Sequence, residues 1–139
     1  MSEKERLNDL TLLSKNENNY FTSPDDAPLE VFDNLYVGRD YKITFNCPEF
    51  TALCPVTSQP DFGKITITYI ADKKCVESKS LKMYLFAFRN HNSFHEEVVN
   101  RILEDIVAVC DPREITVYGE FMPRGGISLD IEASHKKES

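Results

Sequence analysis

Lys64-Ile65-Thr66-Ile67-Thr68-Tyr69-Ile70 decides the fold. It is rich in β-branched residues and alternates apolar with polar side chains up to Tyr69, as a strand with one covered face does. Upstream, Tyr41-Lys42-Ile43-Thr44-Phe45 alternates in the same way. Downstream, Glu114-Ile115-Thr116-Val117-Tyr118-Gly119 and Ile127-Ser128-Leu129-Asp130-Ile131 read as two more strands. Pro123-Arg124-Gly125-Gly126 supplies the turn between them. Between the two pairs the period changes. Ser78 is placed to cap a short helix over Leu81 to Phe88. A longer helix runs from about Phe94 to Cys110, with Val98, Val99, Ile102, Leu103, Ile106 and Val109 at helical spacing and Pro112 beyond its end. Cys75-Val76-Glu77 is expected to extend the sheet. The order ββααββ is an α+β plan, an antiparallel sheet with two helices on one face. So small a sheet leaves open edges, which oligomerisation would cover.

The 139 residues suit one domain. Residues 1–28 are polar and read as an N-terminal arm, with residues 29–139 as the domain. Pro48, Pro55 and Pro60 make Cys47 to Phe62 mostly loop by expectation. No apolar run is long enough to span a bilayer, and the charged N-terminus leads into no apolar signal core. The protein is therefore expected to be cytoplasmic, with its four cysteines reduced. A net charge of −7 argues against general nucleic-acid binding. Against that background, Lys73 to Arg89 holds five basic residues and one acid, which suits a small anionic ligand or a solvated face.

Three stretches carry candidate chemistry. In Cys54-Pro55-Val56-Thr57-Ser58-Gln59-Pro60-Asp61-Phe62, a cysteine sits in a proline-stiffened loop with an acid seven residues on. A nucleophilic thiol needs access, a lowered pKa and a proton partner, and Asp61 supplies the last if the loop folds back. Buried filler and a turn-forming aspartate read as well. In Glu77-Ser78-Lys79-Ser80-Leu81-Lys82, a helix N-terminus with two lysines suits phosphate. No glycine fingerprint accompanies it, which excludes a Rossmann domain. In His91-Asn92-Ser93-Phe94-His95-Glu96-Glu97, the two histidines lack the spacing and cysteine pairs of a zinc site, so no metal is expected. A carboxylate at Glu96 fits the paired N–H groups of a guanine-type edge, and an acidic first turn matching the helix dipole explains it equally.

Together these residues, with Phe88-Arg89-Asn90-His91, closely resemble the short, single-module 7-cyano-7-deazaguanine reductases of the QueF type. The resemblance runs from about Tyr36 to the last strand. It implies the tunnelling fold (T-fold), assembly into rings with sites at subunit interfaces, and NADPH-dependent reduction of a nitrile in queuosine biosynthesis, a tRNA modification pathway. It implies Cys54 as the nucleophile forming a thioimidate and Asp61 as the acid that protonates the nitrile nitrogen. It places Glu96 on the deazaguanine edge, with Val76, Glu77, Ser78 and His95 lining the pocket. It puts Lys79, Lys82 and Arg89 on the cofactor phosphates and calls for no metal. The rival readings are a zinc cyclohydrolase of the same fold and a non-catalytic purine-binding oligomer.

Overall fold

A computed structural model of the protein describes residues 21–138. Residues 1–20, most of the arm, lie outside the described residues. The remainder of the arm is packed down: Ala27 is buried, and Phe21 lies against the core.

Six strands and two helices follow in order. They are β1 (Val31–Asp33), β2 (Lys42–Leu53), β3 (Pro60–Ile70), β4 (Lys74–Val76), α1 (Ser78–Phe86), α2 (His95–Cys110), β5 (Glu114–Arg124) and β6 (Ile127–Lys136). A 3₁₀ turn, Ala87–Asn90, leaves the end of α1. The main sheet is antiparallel in the order β2-β3-β5-β6, so the pattern around Lys64–Ile70 marks a central strand. Ile65, Ile67 and Tyr69 of β3 and Ile115 and Val117 of β5 face inward and are buried. α2 covers them with Val98, Val99, Ile102 and Ile106, which are fully buried. The buried area of these β-branched side chains, at roughly 25 cal/mol per Å², drives the docking of α2 on the sheet.

Four expectations are corrected. Cys75-Val76 does not join the main sheet: β4 pairs with β1 as a separate antiparallel pair, Val31 opposite Val76. The segment from Cys47 to Phe62 is not mostly loop, because β2 runs to Leu53 and β3 begins at Pro60. A register shift between Cys47 and Phe50 absorbs Pro48, and Pro60 sits at a strand start where its missing N–H is tolerated. The cap of α1 is Glu77, not Ser78, since the longer side chain reaches two N–H groups at once. Val109 is 37% exposed, and Cys110 takes the inward position at the end of α2.

Candidate active site

The hairpin joining β2 to β3 folds back tightly. Cys54 N–H donates to the Gln59 carbonyl at 2.9 Å, and Ser58 N–H to the Cys54 carbonyl at 2.8 Å. Ser58 closes the turn with a φ of 58°, a left-handed conformation. Ala52 faces Asp61 across the ladder, and Leu53 faces Pro60. Cys54 lies two residues beyond Ala52, so strand alternation puts its side chain on the face that carries Asp61.

The thiol is partly exposed. The Thr57 hydroxyl, then the backbone N–H groups of Thr57 and Val56, hold the Cys54 thiol below the usual range, against burial and the Asp61 charge. The neighbouring cysteines differ: burial pushes the Cys47 thiol up, and that of Cys110 up to about 12. Cys54 is thus the thiol whose surroundings favour the nucleophilic form.

Asp61 is only 6% exposed, and both its oxygens are engaged. His95 Nε2 lies 3.1 Å from Oδ2, and Arg124 Nε lies 2.8 Å from Oδ1. The same guanidinium donates through Nη2 to the Pro60 carbonyl at 2.7 Å. The His95 ring lies flat on Phe121, centroids 4.0 Å apart and planes parallel. Phe121 in turn lies over Gly63, its partner across the ladder. A Cβ on Gly63 would stand 2.9 Å from Phe121 Cδ1, so only glycine leaves the ring room.

Backbone bonds bring His95 to this place. Leu53 N–H donates to the His91 carbonyl, and Ser93 N–H to the Leu53 carbonyl, each at 3.1 Å. The end of β2 is thereby stitched to the segment that starts α2. Glu96 follows in the first turn of α2, exposed to solvent.

The remaining motif residues lie elsewhere. Val76 and Glu77 are buried at the start of α1. Val76 N–H donates to the Tyr69 hydroxyl at 2.9 Å. The Glu77 carboxylate accepts from Lys79 N–H at 2.6 Å and Ser80 N–H at 2.7 Å. Those are the N–H groups that a phosphate at this helix N-terminus would need, so the expected phosphate cradle already holds a carboxylate. From Ser78 the chain travels through α1 and the 3₁₀ turn, about 20 Å, before it reaches His91 beside Leu53. A groove of about 960 Å³ runs between the exposed side of α1 and β2, lined among others by Cys47, Lys64, Ser78, Lys82 and Arg89. Lys79, Cys54 and Asp61 are not in its lining.

One chain therefore assembles Cys54, Asp61 and His95, with Glu96 next in sequence. It sets Lys82, Arg89 and Ser78 along the groove, and Val76 and Glu77 behind it. Sequence reasoning missed Arg124, read only as a turn residue, and Phe121, which seats His95. It quoted Thr57 without giving it a role.

A family model described as QueF-like protein matches residues 60–139. A protein of Streptococcus mutans named NADPH-dependent 7-cyano-7-deazaguanine reductase is 56% identical over 127 residues, covering 91% of this chain and 78% of that one. A protein of the same name from Staphylococcus haemolyticus is 56% identical over 128 residues, covering 92% and 77%. Among solved structures, the archaeosine synthase QueF-Like in its apo form matches with a TM-score of 0.61 at 17% identity, over 71% of this chain and 95% of that one. That last likeness is one of fold.

Proposed function

The chain belongs to the QueF family, and from that premise we propose that Cys54, Asp61 and His95 carry out a nitrile reduction by covalent capture. The activity is the NADPH-dependent reduction of 7-cyano-7-deazaguanine to its aminomethyl product, a step of queuosine biosynthesis. The fold is the tunnelling fold.

The observation that carries the mechanism is the juxtaposition at the β2–β3 hairpin: a thiol held below its usual pKa beside a buried carboxyl group bonded to a histidine. Cys54 adds to the nitrile carbon as its S–H proton passes to the Asp61 carboxylate, and the nitrogen takes a proton from that carboxyl group. The Cys54 S–H bond and one C–N π bond are exchanged for an S–C bond and an N–H bond. The resulting thioimidate is a better hydride acceptor than a nitrile. His95 Nε2, 3.1 Å from Asp61 Oδ2, holds the carboxyl group during that transfer. NADPH, when bound, would supply hydride, two equivalents per amine formed, and the S–C bond breaks between the two additions to return Cys54 to its thiol. Its polyanionic phosphates match the cationic side of the α1 groove, where Lys82 and Arg89 stand, with Lys79 on the same helix. In this reading Glu96 accepts the paired N–H groups of the deazaguanine, with Val76, Glu77 and Ser78 contributing to the pocket.

Ser78 lines the α1 groove and Cys54 and Asp61 do not, which supports a site completed by a second copy. β2 and β6 are long outer strands of 12 and 10 residues, and among the described residues no further strand pairs with their outer edges, apart from the bridge of Leu53 to Asn92. Pairing β6 of one copy with β2 of the next closes a ring and removes both edges. No helix among the described residues is long and apolar enough to cross a membrane. We place the enzyme in the cytoplasm, where its thiol stays reduced.

The test is to mix the reduced protein with 7-cyano-7-deazaguanine, follow the protein mass, and then add NADPH. An adduct mapping to Cys54, followed by oxidation of two NADPH per amine, is expected. Turnover without any adduct on Cys54 overturns the covalent route.

A further inference from the structure

The floor beneath His95 is shaped by two positions that carry no side chain. In β5, Gly119 and Phe121 are two residues apart and share the face that α2 covers. Gly63 stands opposite Phe121 across the β3–β5 ladder and opposite Phe50 across the β2–β3 ladder. A Cβ on Gly63 would stand 2.9 Å from Phe121 Cδ1, and one on Gly119 would stand 2.9 Å from Phe121 Cε2. Those atoms are opposite corners of one ring, so the Phe121 ring lies across both glycines. Phe50 meets it edge-on, with centroids 6.5 Å apart. The Phe121 ring is buried, and it takes the His95 imidazole on its face, planes parallel and centroids 4.0 Å apart. Gly119 also admits α2 closely: a Cβ there would stand 2.7 Å from Val99 Cγ2. Val99 follows His95 by one turn on the same face of that helix. The two glycines therefore govern both how near His95 comes to the sheet and the plane in which its ring lies. In that plane, Nε2 stands 3.1 Å from Asp61 Oδ2.

We propose that Phe121 is a positioning residue of the nitrile reduction: its ring, seated over Gly63 and Gly119, holds the His95 imidazole in the plane that presents Nε2 to the Asp61 carboxyl group. It acts through His95. An imidazole free to turn about its Cβ–Cγ bond swings Nε2 away from the carboxyl oxygen, and a hydrogen bond weakens steeply as its angle closes. The flat stack bars that turn, because rotation drives the edge of the imidazole into the face of Phe121. The carboxyl group and its partner then need no reorientation while the thiol adds and the nitrogen is protonated. A leucine at this position fills apolar space but offers no flat face.

This role rests on the covalent route proposed above, and one experiment separates the two. The rate of adduct formation on Cys54 is followed by protein mass at saturating 7-cyano-7-deazaguanine, without NADPH. The proteins are the wild type, Phe121→Leu, His95→Gln, the Phe121→Leu/His95→Gln double variant and Val117→Ala. Phe121→Leu is expected to slow the adduct about fivefold or more. Nitrile affinity, read by calorimetry with Cys54→Ala added, is expected to stay within about threefold, because positioning acts on the reaction and not on binding. On the His95→Gln background, Phe121→Leu is expected to cost less than about twofold further, because the ring it seats is already gone. Val117 is as deeply buried on the same face of β5, so Val117→Ala measures lost packing alone and should leave the rate within about twofold. Independent, multiplying losses overturn the proposal, as does a wild-type rate in either single variant. A loss in Val117→Ala equal to that in Phe121→Leu overturns it too, and makes Phe121 a core residue only. A loss carried wholly by nitrile affinity makes it a binding residue instead. If Phe121→Leu does not fold, Phe121→Met, flexible and equally without a flat face, decides by the same outcomes. Absence of an adduct in the wild type overturns the covalent route, and the positioning role falls with it.

Discussion

The two ends of the sheet use the same kinds of residue for different ends. At the β2–β3 hairpin, a carboxylate, Asp61, is buried between a histidine and an arginine and lies on the face of a partly exposed thiol. At the start of α1, another buried carboxylate, Glu77, has both oxygens on backbone N–H groups of its own helix. Both carboxylates sit in motifs that resemble the same family, and burial alone does not separate them. What separates them is the partner. Side-chain partners from distant strands and helices hold a group where chemistry is needed; local backbone partners hold a helix end.

The sharpest test of the hairpin end is Cys54→Ala. Turnover is expected to vanish, while the binding of 7-cyano-7-deazaguanine, followed by calorimetry, stays within about threefold, because the thiol makes a bond only in the reaction. Wild-type-like turnover would remove the mechanism. The next largest effect joins the two ends. If Ser78 and Lys82 complete the site of a neighbouring copy, Cys54→Ala and Lys82→Ala co-expressed at equal levels should recover activity that neither has alone. About a quarter of the sites would then be intact by random assembly. Activity no higher than the average of the two parents would place both residues in one chain's site.

The sequence made the sheet and α2 readable because their burial follows simple periods: alternation along Lys64 to Tyr69, and helical spacing from Val98 to Ile106. It misjudged the hairpin because prolines look like loop markers, yet Pro48 sits in a bulge and Pro60 at a strand start. β1, three residues long, has no period to read. Cys54, Asp61 and His95 were named from motifs, and their meeting depends on the ladder from Leu53 to His91, which no local pattern announces. Arg124 was hidden for the same reason: its direction is set by a one-residue shift against β6, a property of pairing and not of composition.

The α1 end yields a stability effect. Glu77→Ala leaves the part-buried Lys79 N–H and the buried Ser80 N–H without an acceptor and should cost about 1–2 kcal/mol. For a chain of this size that lowers the unfolding midpoint by roughly 3–8 °C. Glu77→Ser separates the two roles, since a serine at this position still caps. If Glu77 serves only the helix, the serine variant should regain most of the midpoint and bind the nitrile as the wild type does. A recovered midpoint with nitrile binding weakened more than about tenfold would give Glu77 a ligand contact as well, and the contrast between the two carboxylates would narrow.

The smallest effect concerns how the hairpin lowers its thiol pKa without a cation. Thr57 heads the causes, with N–H groups of Thr57 and Val56 behind it, and the Asp61 charge pulls the other way. Each donor favours the thiolate, so the folded hairpin populates the nucleophile at lower pH than an ordinary cysteine does. Thr57→Val keeps the shape of the side chain and removes its hydroxyl. The midpoint of Cys54 alkylation by iodoacetamide should then move to higher pH, toward the ordinary thiol range. At neutral pH the rate should fall about threefold, a modest change because two backbone donors remain. An unchanged midpoint would mean that the backbone nest suffices, and the control of Cys54 would pass from a side chain that mutation can remove to the turn geometry fixed by Ser58.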